Sequence, residues 1–194
     1  MEIKYKLYPY PVLSSYSNDY GTGAFDVAID IVRDGYDLRI DFLATLTCQS
    51  LQDCIKQGVA KFVYHLECSQ TGFRTVVQTD KVSEVYTLLN KAVNGKLQIC
   101  PFVVAVDDLK GFTSPDFHED YQGIAFDIEA GCVMAVGKMV TVDISKDIDD
   151  LANTPSIFNI SKNPDESCKQ MLVDMSQRKI IIKLPLSDFY SYKA

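Results

Sequence analysis

Residues 25–48 read FDVAIDIVRDGYDLRIDFLATLTC, and this stretch decides the fold. Val27, Ile29 and Ile31 alternate with Asp26, Ala28 and Asp30, the period of two that marks a strand with one face buried. Asp34-Gly35 is a dipeptide of type I′ hairpin character. Beyond it, Tyr36, Leu38, Ile40, Phe42, Leu46 and Cys48 alternate with Asp37, Arg39, Asp41, Thr45 and Thr47. A two-residue loop at 34–35 sets Ile31 opposite Leu38, Ile29 opposite Ile40 and Val27 opposite Phe42 on one face. The same register sets Asp30 opposite Arg39 on the other, so turn, apolar face and charge pairing agree.

A second antiparallel pair follows. Phe62, Tyr64, Leu66 and Cys68 alternate, 69–72 turn the chain, and Phe73, Thr75, Val77 and Thr79 alternate back, which sets Glu67 opposite Arg74. A third hairpin is expected at 124–144. There Ile124, Phe126 and Ile128 run out, Ala130-Gly131 turns, and Cys132 to Ile144 returns, with Gly137 marking a bulge. Between the hairpins, 96–106 reads as a long strand whose apolar centre suits cover on both faces, and Pro101 within it requires a bulge or an edge.

Two short helices are expected. One spans Ser50 to Gly58, with Ser50 as cap and Gly58 as terminator. The other spans 83–93, where Val82, Val85, Leu88, Leu89, Ala92 and Val93 follow helical spacing. After Lys146 the text turns polar, with apolar islands at 148–151 and 157–160. Two last strands at 171–175 and 180–184 follow, then a tail holding Phe189, Tyr190 and Tyr192. The fold class that results is mainly β (α+β): an antiparallel β-sandwich or strongly curved sheet built from hairpins, with two short helices. The domain reading is an aromatic N-terminal arm at 1–23 and a single β-rich domain at 24–194.

Composition narrows the function. The 194 residues carry 19 basic and 26 acidic side chains, a net charge of −7. Basic residues are scattered, which argues against nucleic acid as a partner, because phosphate contacts need clustered Lys and Arg. No run approaches the roughly 20 apolar residues of a membrane-spanning helix, and no apolar signal segment opens the chain. A cytoplasmic location is therefore expected. Six cysteines (Cys48, Cys54, Cys68, Cys100, Cys132 and Cys168) never fall in a C-x-x-C spacing and read as free thiols, mostly small buried hydrophobes.

Catalytic patterns are missing. His65 and His118 are the sole histidines, and no G-x-S-x-G elbow is present. Gly21-Thr22-Gly23 lacks the third glycine and following helix of a dinucleotide site, and there is no phosphate-binding loop. No cofactor is implied. The stretch 107–123 is the longest loop-like segment. It gathers Asp107, Asp108, Asp116, His118, Glu119 and Asp120, with Asp127 and Glu129 nearby. Carboxylates and an imidazole at such spacing are ligands for Mg²⁺ or Mn²⁺. A metal-dependent hydrolase or nuclease using 107–129 is thus the alternative reading, although the lysine expected after the acidic ligands is replaced by Ala130-Gly131.

The leading expectation is a non-enzymatic protein-binding or assembly protein, an accessory subunit or homo-oligomer. It would act through strand edges and aromatic termini. Tyr5, Tyr8, Tyr10, Tyr16 and Tyr20 are the candidate binding residues. The competing reading of these rings is packing on the protein's own body.

Overall fold

The computed structural model describes residues 8–144, 158–165, 167–175 and 180–193. Among the described residues the chain is mainly β with two short α-helices, which is the expected class. It divides into two compact units, Met1–Ser145 and Lys146–Ala194, whereas the sequence reading drew one body over 24–194.

In the first unit the chain passes through β1 (Leu13–Ser14), β2 (Phe25–Asp34), β3 (Asp37–Leu46), α1 (Gln49–Lys56), β4 (Ala60–Cys68), β5 (Phe73–Thr79) and β6 (Ser83–Leu88). It continues through β7 (Gly95–Ala105), β8 (Leu109–Phe112), β9 (Phe126–Ile128), β10 (Val133–Val136) and β11 (Val140–Ile144). The large sheet has the order β1-β10-β7-β4-β5, with β11 also on β7. A three-stranded sheet has the order β2-β3-β6, and β8 pairs with β9. Pairing is antiparallel except for β1 with β10.

The two larger sheets pack face to face. The inner face of β3 buries Leu38, Ile40, Phe42, Ala44 and Leu46, and that of β4 buries Ala60, Phe62, Tyr64, Leu66 and Cys68. Phe42 lies flat on Tyr64, with centroids 4.2 Å apart and ring planes 3° from parallel. The alternation seen in the sequence is therefore what forms the sandwich core, since period-two burial gives each strand one apolar face.

The first hairpin forms with a different register. Its loop is Gly35-Tyr36, so Ile31 faces Ile40, Ile29 faces Phe42 and Asp30 faces Asp41. Gly35 sits at the first loop position with φ +63°, where the primed hairpin turns demand a positive angle. The shift from the expected register moves the partner by an even number of residues, so every side chain keeps its face and the core is unchanged. The second hairpin has the expected register. Glu67 faces Arg74 and bonds it at 3.1 Å, and this hydrogen bond holds the Glu67 carboxyl below its ordinary range.

Three expectations are corrected. Residues 83–93 are not a helix: β6 pairs with β3, and a 3-10 turn, Asn90–Ala92, follows. The helical spacing there coincides with a strand that buries Leu88 and exposes Val85, and β3 needs a second neighbour. The third hairpin is not formed either. β9 pairs with β8, while β10 and β11 line β7, because Gly131, at φ +86°, donates to the Ala105 carbonyl and turns the chain onto the large sheet. Finally, Ser50 does not cap α1. Cys48 occupies the N-cap position, and Ser50 lies within the first turn. Gly58 follows the helix with φ +78°, as a terminator should.

Pro101 sits at the centre of β7, not at an edge. It falls where one neighbour hands over to another: Val136 pairs with Phe102, Val140 pairs with Ile99, and Gly137 N–H donates to the Pro101 carbonyl at 2.9 Å. The donor that proline lacks is thus placed at an interruption of the ladder. Glycine suits position 137 because a Cβ there would lie 3.1 Å from Pro101 Cβ and 3.2 Å from the Phe25 ring, so a neighbour would have to shift by a few tenths of an ångström.

The second unit holds β12 (Phe158–Lys162), β13 (Leu172–Asp174), β14 (Ile180–Leu184) and α2 (Leu186–Lys193). β12 runs parallel to β14, and β13 antiparallel to it. The strands match the sequence reading, the helix replaces the expected tail, and the island at 148–151 lies outside the described residues.

Candidate functional site

The N-terminal tyrosines lie against the first unit. Val12 and Leu13 are buried, and Val12 N–H donates to Asp19 Oδ2 at 3.0 Å. Tyr20 meets Phe117 edge-on at 5.0 Å, and the hydroxyls of Tyr16 and Tyr20 are buried. Burial pushes the phenols of Tyr8, Tyr10, Tyr16 and Tyr20 up from their ordinary value. All four rings are half-buried. Tyr5 lies outside the described residues.

The acidic stretch is held to the body through Asp116. Its Oδ1 accepts from Thr22 Oγ1 at 3.0 Å and its Oδ2 from Cys48 Sγ at 3.3 Å. Its amide donates to Ser114 Oγ at 3.1 Å, and Ser114 Oγ is 2.7 Å from Ser50 Oγ. This cluster ties the start of α1 to residues 64 and 68 positions further along the chain, so no local spacing in the sequence could show it. Both Asp116 oxygens are committed to the protein.

The other acidic groups point elsewhere. Asp108 Oδ1 accepts from Ala130 N–H at 2.9 Å. Asp127 accepts from Gly111 N–H and Lys110 Nζ, which lowers its carboxyl below the ordinary value. His118 Nδ1 lies 3.3 Å from the Asp120 amide and 3.2 Å from Asp120 Oδ2. Asp107, Glu119 and Glu129 are exposed. Among the described residues, no three His, Cys, Asp or Glu side chains converge in a way that could hold a metal ion.

Cys48 is the cluster's one nucleophilic atom, yet its environment suppresses it. Burial raises the thiol from its ordinary value; hydrogen bonds from Ser50 and Leu51 oppose it in part, and the Asp116 carboxylate adds a smaller upward push. A protonated, enclosed thiol does not attack. Burial raises Cys54 and Cys100 as well. Brief alkylation of the native protein with iodoacetamide should therefore modify Cys132 and Cys168, which are partly exposed, and spare Cys48, Cys54 and Cys100. Peptide mass spectrometry reads this directly, and rapid modification of Cys48 would refute the assignment.

The second unit has a different surface. Met171, Leu172, Val173 and Met175 are all exposed, Met175 by 73%. Leu172 and Val173 are adjacent in β13, so they project to opposite faces, and both are about half exposed. α2 exposes Tyr190 and Tyr192, and β12 exposes Phe158. Among the described residues of this unit, Asn163 and Pro185 are buried, but no large apolar side chain is. The sequence showed the apolar strands but not which of their side chains are exposed, because exposure depends on what lies across the sheet.

No protein-family model, curated protein or solved structure matches the chain. Among the described residues, no helix is long and apolar enough to cross a membrane.

Proposed function

We propose that this is a non-enzymatic protein-binding or assembly protein that associates with further copies of itself through the strand edge and aromatic side chains of the second unit. The observation that carries the reading is β13, an edge strand with exposed Leu172 and Val173 in a unit with no buried large apolar side chain among its described residues. A three-stranded sheet whose described residues bury no large apolar side chain is marginal in water. Small units ordinarily gain stability from a metal, a disulfide or association. All six cysteines are free, which supports association over disulfide bonding and fits a reducing, cytoplasmic location. The aromatic terminus in this reading is chiefly the C-terminal one, since Tyr190 and Tyr192 face solvent while Tyr8, Tyr10, Tyr16 and Tyr20 pack on the first unit. No observation favours the hydrolase reading.

Sedimentation velocity over a range of protein concentrations tests the proposal. The full chain should sediment faster as concentration rises, and Leu172→Lys/Val173→Lys should remain monomeric, because charge on an edge strand blocks pairing. Circular dichroism of the variant checks that the first unit is intact. A wild-type protein that stays monomeric throughout, or a variant that associates equally, would refute the reading.

A further inference from the structure

The outer face of the three-stranded sheet is mixed in a specific way. Its cross-strand rows are Ala28–Leu43–Ser83, Asp30–Asp41–Val85 and Val32–Arg39–Thr87. Val32, Leu43 and Val85 are exposed by 42, 54 and 48%. Asp26, also exposed, extends the face beside Ala28. Asp30 and Asp41 stand directly opposite each other, an arrangement that destabilises a sheet. Arg39 contacts Asp41 at 2.9 Å within its own strand, so one arginine is set among three aspartates. An exposed apolar trio and an opposed carboxylate pair, the second unfavourable in a solvated sheet, thus occur on the same face.

We propose that this face docks a basic amphipathic segment of a partner protein, one that alternates Lys or Arg with apolar side chains. The apolar trio supplies contact area, and cations from the partner relieve the Asp30/Asp41 repulsion. The chain's net charge of −7 has the sign that steers such a partner toward it. This inference does not depend on self-association through β13.

The probe is a fluorescein-labelled peptide of alternating lysine and leucine, titrated into the full-length protein by fluorescence anisotropy at several salt concentrations. Asp30→Asn/Asp41→Asn should weaken binding about tenfold, equivalent to about 1.4 kcal/mol, while circular dichroism shows the fold retained, since loss of the exposed Arg39–Asp41 contact is offset by loss of the carboxylate repulsion. Glu119→Gln/Asp120→Asn removes the same charge from an exposed loop and should leave affinity nearly unchanged. Leu43→Ser should weaken binding, and a lysine-only peptide should bind more weakly than the alternating one. The proposal is overturned if the two charge variants weaken binding equally, if Asp30→Asn/Asp41→Asn has no effect, if Leu43→Ser binds like wild type, or if the lysine-only peptide binds as tightly. Retention of peptide binding by Leu172→Lys/Val173→Lys separates this face from the assembly surface, and loss of binding in that variant would also count against the proposal.

Discussion

Phe42→Ala should destabilise the first unit by about 3–5 kcal/mol, the cost of deleting a fully buried aromatic ring and leaving a cavity. Phe42 is 1% exposed, and its ring covers that of Tyr64. The substitution therefore removes burial and an aromatic contact together, at the point where the two sheets meet. The transition midpoint in urea should fall accordingly, and a loss under about 1 kcal/mol would mean that the sheets are not packed through this pair.

Tyr64→Phe provides the contrast at the same site. The Tyr64 hydroxyl is buried without a hydrogen-bond partner among the described residues. Burial, with the Glu84 carboxylate as a smaller cause, pushes its phenol up to about 12. Removing an unsatisfied buried hydroxyl while retaining the ring should be neutral or stabilising. The pair of variants separates packing, which the core requires, from polarity, which it does not use.

The second large effect is expected at Gly23. Its φ is +103°, and a Cβ there would lie 3.0 Å from Cys48 Cβ and 3.4 Å from Cys48 Cα. Gly23→Val combines a backbone angle that branched residues avoid with overlap against a neighbour fixed at the start of α1. Strain and overpacking each cost about 1–3 kcal/mol, so a loss on the order of 3 kcal/mol is expected. The adjoining bonds from Ala24 N–H to Thr47 Oγ1 at 2.8 Å and from Thr47 N–H to the Ala24 carbonyl at 2.9 Å leave little freedom to yield. Thermal melts monitored by circular dichroism measure the loss, and a melting temperature equal to wild type would show that this crossing is loose.

What the sequence made legible follows from how local each signal is. Period-two alternation identified β2, β3, β4 and β5 because one face of each is buried by its neighbours. Glu67 and Arg74 fixed one register because the turn between them had a single plausible length. The first hairpin's register is not legible since Asp34-Gly35 and Gly35-Tyr36 both place glycine in the loop, where a positive angle suits either position, and only the pairing of the strands beyond it distinguishes them. β6 was read as a helix because a short segment of branched and aromatic residues satisfies both periods, and its pairing with β3 is a tertiary choice. β9 was joined to the wrong strand for the same reason: its partner β8 lies within a stretch too polar to suggest a strand.

The candidate sites were less legible still. The spacing of Asp107, Asp108, Asp116, His118, Glu119 and Asp120 suggested a metal centre, but sequence proximity in a loop does not make side chains converge. Asp116 turns inward to Cys48 and Thr22, Asp108 turns to the Ala130 amide, half-buried His118 meets its neighbour Asp120, and Asp107 and Glu119 face solvent. The uncovered apolar side chains of β13 could not be read at all, since Leu172 and Val173 look like core residues until their surroundings are known.

Amide hydrogen exchange at residues 172–174, measured at increasing protein concentration, tests the assembly claim most directly. These amides should become progressively protected as concentration rises, while those of 73–79 at the edge of the large sheet keep a constant rate. Exchange at 172–174 that is independent of concentration would contradict association through β13.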